Sequence, residues 1–323
     1  MSMAGTRAGS ASAAGTSAAG TGTAGLSRAR PIGVFDSGIG GLSILNALRS
    51  ALPHERFVYF ADTANAPYGE RGAAHVTARS RAIASQLRTD YDIKALVVAC
   101  NTATAAAIQV LRAEHPDLVL IGVEPALKPA VAHSVTRRIA VLATRGTLDS
   151  LKFRALHAAL ADQAEFILVP CDGLADAIER HDTARSATLG ALYVNAAGNF
   201  GSAPGQIDTL VLGCTHYPFV TSMLRQHTGD AVRFIDTGEP VAQQTRRLLD
   251  AAGLLAPEAG AGTADVEFAS TGDAQALRDA TERWLQPAPG TGLGASSAIA
   301  PPAAVLSKML SAVPGVASAA VNS

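Results

Sequence analysis

The segments KALVVACNTATAAA (residues 94–107) and DTLVLGCTHYPFV (residues 208–220) follow one local pattern. Each is a short apolar run that ends in a cysteine and continues into small polar residues. An alanine-rich, helix-like stretch follows the first cysteine, and the second is followed by Pro218, a residue that fits the first turn of a helix. The pattern predicts, twice in one chain, a buried strand with a cysteine at its carboxyl end and a helix after it.

Apolar runs of this kind recur along the chain, at residues 31–35, 56–61, 95–99, 118–123, 138–143, 166–170, 209–213, 232–236 and 266–270. Amphipathic segments such as GLSILNALRSAL (41–52) and ATAAAIQVLRAEH (103–115) lie between them. Buried strands that alternate with helices are typical of parallel sheets with crossover helices. The sequence therefore predicts an α/β architecture with mostly parallel, doubly wound sheets.

A weak internal repeat predicts two similar lobes. PIGVFDSGIGGLSIL (31–45) resembles RIAVLATRGTLDSL (138–151), and the two cysteine segments follow in the same order at nearly the same offset. In open α/β sheets, ligands bind beyond the carboxyl ends of the strands, where both cysteines are expected. If the lobes face each other, the two thiols face each other across a cleft.

Composition restricts the class of protein. The chain has 323 residues, long enough for two domains, with 48% hydrophobic residues and a formal net charge of −1. That charge argues against nucleic-acid binding, and no uncharged apolar run reaches the roughly 20 residues that span a bilayer. Three cysteines do not form a disulfide framework, so we expect free thiols in a cytoplasmic protein.

Both ends of the chain have low complexity. Residues 1–30 are almost entirely Ala, Gly, Ser and Thr, with three arginines and no acidic residue, and residues 286–323 are rich in Pro, Ala, Gly and Ser. We expect both segments to be disordered tails, with a weak helix near residues 303–312. A transit peptide remains an alternative for residues 1–30, whereas a secretory signal would need an apolar block.

Cys100 and Cys214 are the main candidates for chemistry. A cysteine between a strand and a helix lies at the positive end of the helix dipole, which can lower its thiol pKa from ~8.5 to roughly 3.5–7.5. Two acid–base groups on opposite faces of one carbon are what a stereoinversion requires. His216, two residues beyond Cys214, can accept a proton. The alternatives are a Cys/His thiol hydrolase and two small buried side chains without chemistry.

Two further segments belong at the same cleft. Asp36 and Ser37 follow the first strand, where Asp36 can cap a helix, orient an ammonium group or act beside a thiol. Ala66-Pro67-Tyr68-Gly69 is a loop signature after the second strand. Cys171, in contrast, has no His, Asn or Thr beside it in the sequence and is interpreted as a core residue.

The sequence favours chemistry without a cofactor. GVFDSGIGGLS (33–43) is similar to a dinucleotide-binding turn, but Ser43 replaces its third glycine and Asp36 would repel a pyrophosphate. None of the four lysines lies in a glycine-rich strand end that would suit a pyridoxal phosphate Schiff base. Cysteine and histidine spacings typical of zinc sites are absent, so no metal is predicted.

The motifs IGVFDSGIGGLSIL, FADTANAPYGER, VVACNTATA, LVLGCTHYPF and FIDTGEP occur in the order found in glutamate racemases. Between about Ile32 and Asp273 the chain resembles this family of cofactor-independent aspartate/glutamate racemases. The resemblance implies interconversion of L- and D-glutamate, which supplies D-glutamate for peptidoglycan. It also implies two α/β lobes of pseudo-twofold symmetry with the active site between them. The first lobe would comprise residues 31–127 and 238–285, and the second residues 128–237.

The resemblance also implies roles for individual residues. Cys100 corresponds to the base that acts on D-glutamate, with Asp36 assisting it, and Cys214 to the base that acts on L-glutamate. His216 and a glutamate would assist Cys214. The positions that match substrate-binding residues are Asp36, Ser37, Pro67, Tyr68, Gly69, Asn101, Thr102, Thr215 and His216.

The assisting glutamate lies where the chain departs from the family pattern. Many members have ACPLFVPLVE there, whereas this chain has PCDGLADAIE, and an ungapped alignment matches Glu179 with the glutamate. A racemase of the aspartate or hydantoin type and a two-lobed solute-binding protein remain alternatives. The lack of a long apolar run predicts no membrane partner, and the sequence leaves open whether the chain forms a homodimer.

Overall fold

All of the predicted apolar runs form strands in the computed structural model, which describes residues 27–257 and 265–287. The strands are β1 (Ile32–Asp36), β2 (Phe57–Ala61), β3 (Ala95–Val98), β4 (Val119–Gly122), β5 (Arg138–Ala143), β6 (Glu165–Pro170), β7 (Thr209–Gly213), β8 (Arg233–Ile235) and β9 (Val266–Ser270). The strand predictions are thus confirmed to within a residue or two at each end. The low-complexity predictions for residues 1–26 and 288–323, including the helix near 303–312, lie outside the described residues.

The strands form two parallel sheets with the same internal order. The first sheet runs β4-β3-β1-β2-β9 and the second β6-β5-β7-β8. Starting from β2 and leaving out β9, the first sheet reads β2-β1-β3-β4, so each lobe orders its strands second, first, third, fourth. This shared order confirms the prediction of two similar α/β lobes and supports their pseudo-twofold relation.

Helices cover both faces of each sheet. They are α1 (Leu42–Ala51), α2 (Ala73–Tyr91), α3 (Asn101–Glu114), α4 (Leu127–His133), α5 (Arg145–Leu148), α6 (Leu151–Ala158), α7 (Leu174–Glu179), α8 (Thr183–Ala197), α9 (Thr221–Thr228), α10 (Gly238–Ala251) and α11 (Ala274–Trp284). In the first lobe, α1, α10 and α11 pack on one face and α2 and α3 on the other. In the second lobe, α7, α8 and α9 pack on one face and α4 and α6 on the other. Because both faces are covered, the strands consist mostly of apolar residues.

The α-helix predicted after Cys214 begins later in the chain than the one after Cys100. A 3-10 turn (Tyr217–Val220) comes first, and α9 begins only at Thr221. Pro218 has no N–H to donate, so the backbone tightens: the Tyr217 N–H donates to the Cys214 carbonyl (3.1 Å) and the Phe219 N–H to that of His216 (3.2 Å). The first cysteine does precede an α-helix, since α3 begins at Asn101.

Candidate active site

The carboxyl ends of β1, β3 and β7 meet at one cavity of about 460 Å³ between the lobes. It is lined by residues of both lobes, as expected for ligand sites in open α/β sheets. Eleven of the predicted site residues line it: Ser37, Pro67, Tyr68, Gly69, Cys100, Asn101, Thr102, Glu179, Cys214, Thr215 and His216. The remaining one, Asp36, lies beneath the cavity wall.

Cys100 ends β3 and is itself the N-cap of α3. Its Sγ accepts a hydrogen bond from the Ala103 N–H (3.4 Å) and lies 3.7 Å from the Ser37 hydroxyl. The lowered thiol pKa expected here is wrong: burial and the nearby Asp36 carboxylate raise the pKa of Cys100 to about 12, despite the opposing bonds from Ala103 and Ser37. Desolvation of the thiolate thus outweighs the end of the helix.

Asp36 is fully buried at the end of β1 and does not line the cavity. One carboxylate oxygen accepts the Gly38 N–H (3.1 Å), and the other has no hydrogen-bond partner. Burial raises the pKa of Asp36 to about 6, although the positive field of His216 and the Gly41 N–H oppose that rise. Asp36 is close enough to raise the pKa of Cys100 by its charge, so it can act on the Cys100 side of the cavity.

Cys214 is linked to a histidine and a carboxylate. The Cys214 Sγ lies 3.7 Å from His216 Nδ1, and His216 Nε2 lies 2.6 Å from Glu179 Oε2. Burial by itself would lower the pKa of His216, but the hydrogen bonds to Cys214 and Glu179 and their negative charges raise it well above its usual value. The arrangement can therefore hold a proton on the imidazole beside the thiol.

Glu179, the ambiguous residue of the sequence, ends α7 with its carboxylate turned into the cavity. Besides His216, it accepts the Ile39 N–H of the opposite lobe, at 3.0 Å to Oε2 and 3.3 Å to Oε1. The carboxylate therefore bridges the two lobes at the site.

Polar side chains of both lobes meet along the cavity floor. Thr102 and Thr144 share a hydrogen bond (3.0 Å), and the Asn101 amide donates to the Gly213 carbonyl (3.0 Å). The side-chain carbonyl of Asn101 is buried without a partner. Hydroxyls and amides of this kind can donate to the oxygens of a carboxylate ligand.

The Pro67–Gly69 loop is held by a buried carboxylate behind it. Asp62 accepts hydrogen bonds from the Tyr68 hydroxyl (2.5 Å), from Arg79 (2.8 and 2.9 Å) and from the Thr271 hydroxyl (2.8 Å). Burial and the Asp62 charge raise the pKa of Tyr68. One side chain thus fixes both the loop and the turn after β9, and both of these line the cavity.

Sequence reasoning missed several lining residues. Thr144 occupies the position that the internal repeat aligns with Ser37, so the repeat could have identified it. Asp176 on α7 and Arg180 directly after it flank the mouth, and Gly272 and Asp273 approach from the turn after β9. No local motif marks these four, because distant segments bring them to the mouth.

Cys171 is placed in the core, as interpreted from the sequence. It is buried, does not line the cavity, and its Sγ donates to the Val169 carbonyl (3.3 Å). Within residues 27–257 and 265–287 no group of three or more His, Cys, Asp or Glu side chains is arranged to hold a metal ion. In the same ranges no helix is long and apolar enough to cross a membrane.

Two similar α/β lobes that bring one thiol each to a shared cavity define a class of isomerase, the amino-acid racemases. The sequence model of the Asp/Glu/Hydantoin racemase family matches residues 42–245. The chain belongs to this family.

Known members and solved structures are similar over most of the folded part. The chain is 43% identical to the glutamate racemase of Stutzerimonas stutzeri over 249 residues, which cover 77% of this chain and 91% of that protein. A crystal structure of a Bacillus anthracis glutamate racemase matches with a TM-score of 0.69 and 30% identity, covering 80% of this chain and 94% of that one. An Escherichia coli glutamate racemase, solved with L-glutamate and an activator, matches with a TM-score of 0.67 and 30% identity, covering 79% and 95%. The expected fold and family are confirmed.

Proposed function

We propose that this chain interconverts L- and D-glutamate by a two-base mechanism that needs no cofactor. The observation that carries the proposal is the pair of free thiols, Cys100 and Cys214, one from each lobe, which line the same cavity. Each thiol has its own acid–base neighbour, Asp36 for Cys100 and the His216–Glu179 pair for Cys214. A single base would return the proton to the face from which it came.

The choice of glutamate rests on the relatives and on the cavity wall. The similar proteins are named glutamate racemases, and one was solved with L-glutamate. The proposed substrate contacts are donors to its two carboxylates: the Ser37, Thr102 and Thr215 hydroxyls, the Asn101 amide and the backbone around Pro67, Tyr68 and Gly69. The alternative is aspartate, which is one methylene shorter, a difference worth only about 1–3 kcal/mol.

Racemisation of L-glutamate would begin with Cys214 as a thiolate that removes the α-proton. His216, held by Glu179, stabilises that thiolate. Cys100 then protonates the opposite face, a role that suits a thiol whose pKa of about 12 keeps it protonated near neutral pH. In the reverse direction Cys100 must lose its proton first, which the substrate ammonium group favours by its positive charge and Asp36 by taking up the proton.

The proposal extends to the organisation and cellular role of the chain. We assign residues 31–127 and 238–285 to the first lobe and residues 128–237 to the second. D-glutamate from this reaction would enter peptidoglycan synthesis in the cytoplasm. Light scattering of the purified protein decides between a monomer and a homodimer.

The first experiment incubates the purified, metal-free protein with L-glutamate in D₂O without pyridoxal phosphate. We expect loss of optical rotation together with deuterium at the α-carbon. L-Aspartate serves as the parallel substrate, and faster turnover of aspartate would change the substrate assignment. A folded sample that gives neither signal on either substrate would refute racemisation.

Substitution of each cysteine tests the two-base mechanism. Cys100→Ser and Cys214→Ser should each lower the turnover number by about 10³-fold or more, while circular dichroism stays unchanged. A serine hydroxyl is a far weaker acid than a thiol, so it neither ionises to act as a base nor readily donates its proton. Cys171→Ser is the matched control and should retain activity, because Cys171 does not reach the cavity. Full activity in either of the first two variants would exclude a two-thiol mechanism.

A further inference from the structure

The Gly38-Ile39-Gly40 turn of the first lobe contacts the acid–base pair of the second lobe. The Ile39 N–H donates to both oxygens of the Glu179 carboxylate, whose Oε2 also bonds to His216. Glu179 thus has one partner on each side of the cleft. Its position against His216 therefore depends on a backbone group of the other lobe.

The two glycines of the turn make this approach possible. A Cβ at Gly38 would lie 2.3 Å from Glu179 Oε2, and a Cβ at Gly40 would lie 2.3 Å from His216 Nδ1. Both distances are far below van der Waals contact. Neither glycine is among the described residues with positive φ, so the backbone conformation would accept alanine at either position. Glycine is required here for space and not for conformation.

The first lobe also holds the turn rigidly. The Tyr59 hydroxyl donates to the Gly38 carbonyl (2.7 Å), and Asp36 accepts the Gly38 N–H (3.1 Å). A second interlobe bond follows directly, from the Ser43 hydroxyl to the Thr215 carbonyl (2.8 Å). The turn cannot yield easily to an added methyl group, so Glu179 or His216 would have to move instead.

We propose that the Gly38-Ile39-Gly40 turn is a positioning element for proton transfer on the Cys214 side. It leaves space for Glu179 and His216 and fixes the Glu179 carboxylate through the Ile39 N–H. The pair is then complete only while the lobes are closed on each other. This inference rests on the proposed racemisation for its kinetic consequences, whereas its geometric part can be tested without turnover.

The kinetic test compares Gly38→Ala with Gly72→Ala. Gly72 has an ordinary φ of −65°, and a Cβ there would meet nothing within 4 Å, so it is the matched control. Gly38→Ala should lower the turnover number at least tenfold, and Gly72→Ala less than twofold. Slower transfer at Cys214 should raise the α-deuterium isotope effect on kcat/KM for L-glutamate and reduce it for D-glutamate.

A compensating substitution separates positioning from general damage. Glu179→Asp withdraws the carboxylate by about 1.5 Å. It should lower activity in the wild-type background but raise it in the Gly38→Ala background, a coupling of opposite sign. Equal activities of Gly38→Ala and Gly72→Ala, or a loss from Glu179→Asp by the same factor in both backgrounds, would overturn the inference. If Gly38→Ala does not fold, Gly40→Ala, which displaces His216, is judged by the same turnover and isotope-effect criteria.

NMR titration of His216 gives a readout that does not need turnover. The His216 signal is assigned by its loss in His216→Asn. Gly38→Ala should lower the pKa of His216, as Glu179→Gln should, whereas Gly72→Ala should not. If Gly38→Ala lowers the pKa of His216 as expected but the wild-type protein does not racemise glutamate, the proposed function alone is refuted. If the wild-type protein racemises glutamate but the pKa of His216 is unchanged in folded Gly38→Ala, this inference alone is refuted.

Discussion

The Asp36 side chain combines deep burial with incomplete hydrogen bonding. It has no exposed surface, and one of its carboxylate oxygens is without a partner. An ionised carboxylate in such a place costs folding free energy, and its raised pKa of about 6 is the sign of that cost. A residue kept at this expense is expected to serve the reaction, here beside Cys100.

Asp36→Asn should therefore stabilise the protein and impair catalysis. At pH 7.5 we expect a gain of about 1–2 kcal/mol in the free energy of unfolding, because ionisation of the native carboxyl is no longer required. The native pKa lies above that of the unfolded chain, so wild-type stability falls as pH rises from about 4 to about 6, and the gain disappears below that window. Urea unfolding at pH 4 and pH 7.5 measures it, and equal gains at both values would contradict the expectation.

At the residue scale, Cys100, Cys214 and His216 could be chosen from the sequence because each lies at or just beyond the end of an apolar run. The structure brings all three to one cavity, and their roles in the reaction stay predictions. The direction of the Cys100 pKa was wrong, since desolvation depends on how the other lobe and Asp36 surround the thiol. Thr144 was missed, although the internal repeat contained the necessary signal.

At the scale of elements, Asp62 directly after β2 links several elements of the first lobe to the cavity wall. Its carboxylate binds Tyr68 of the loop, Arg79 of α2 and Thr271 of the turn after β9. These partners come from three separate segments of the first lobe. The shape of the outer wall therefore depends on one buried acceptor.

Asp62→Asn should loosen this wall, because an amide NH₂ would face donors where a carboxylate oxygen accepted them. We expect KM for glutamate to rise at least fivefold, with a smaller fall in kcat, and a loss of about 2–3 kcal/mol in stability. Asp117→Asn breaks the half-exposed pair with Arg88 and should cost less than about 1 kcal/mol without changing KM. A destabilised Asp62→Asn variant with normal KM would show that Asp62 has only a structural role.

At the element scale, the strands were predictable because both faces of each sheet are buried, which produces unbroken apolar runs. The turn after Cys214 was not, because a single proline replaces the first α-helical bonds with 3-10 bonds. The mouth residues Arg180 and Asp273 follow from packing between segments distant in sequence, which a local pattern does not record.

In the whole molecule, the contacts between the lobes that we describe gather around the cavity. Asn101 bonds to Gly213, Ser43 to Thr215 and Thr102 to Thr144. The far end of the first sheet is held in another way, by a buried ion pair between Lys94 and Glu55 at 2.5 Å. Lys94 also donates to the Arg28 and Leu254 carbonyls, so it joins three chain segments there.

Glu55→Gln should be among the most destabilising polar substitutions in the first lobe. It leaves the Lys94 charge buried without a counterion, which costs about 3–5 kcal/mol. Glu114→Gln removes an exposed pair with Arg81 and should cost no more than about 1 kcal/mol. Thermal unfolding of the two variants checks this, and similar melting temperatures would contradict it.

The Lys94 contact also has a practical consequence. Lys94 precedes β3 and Cys100 follows it, so roughly 20 Å of extended chain separates Lys94, which binds the Arg28 carbonyl, from the Cys100 thiol. The described part of the chain, which starts at Ser27, is thus held at the end of the first sheet remote from the cleft. A fluorophore or a surface linker attached through a cysteine substituted for Ser27 would leave the cleft mouth clear. Immobilised enzyme prepared in this way should turn over like the free protein.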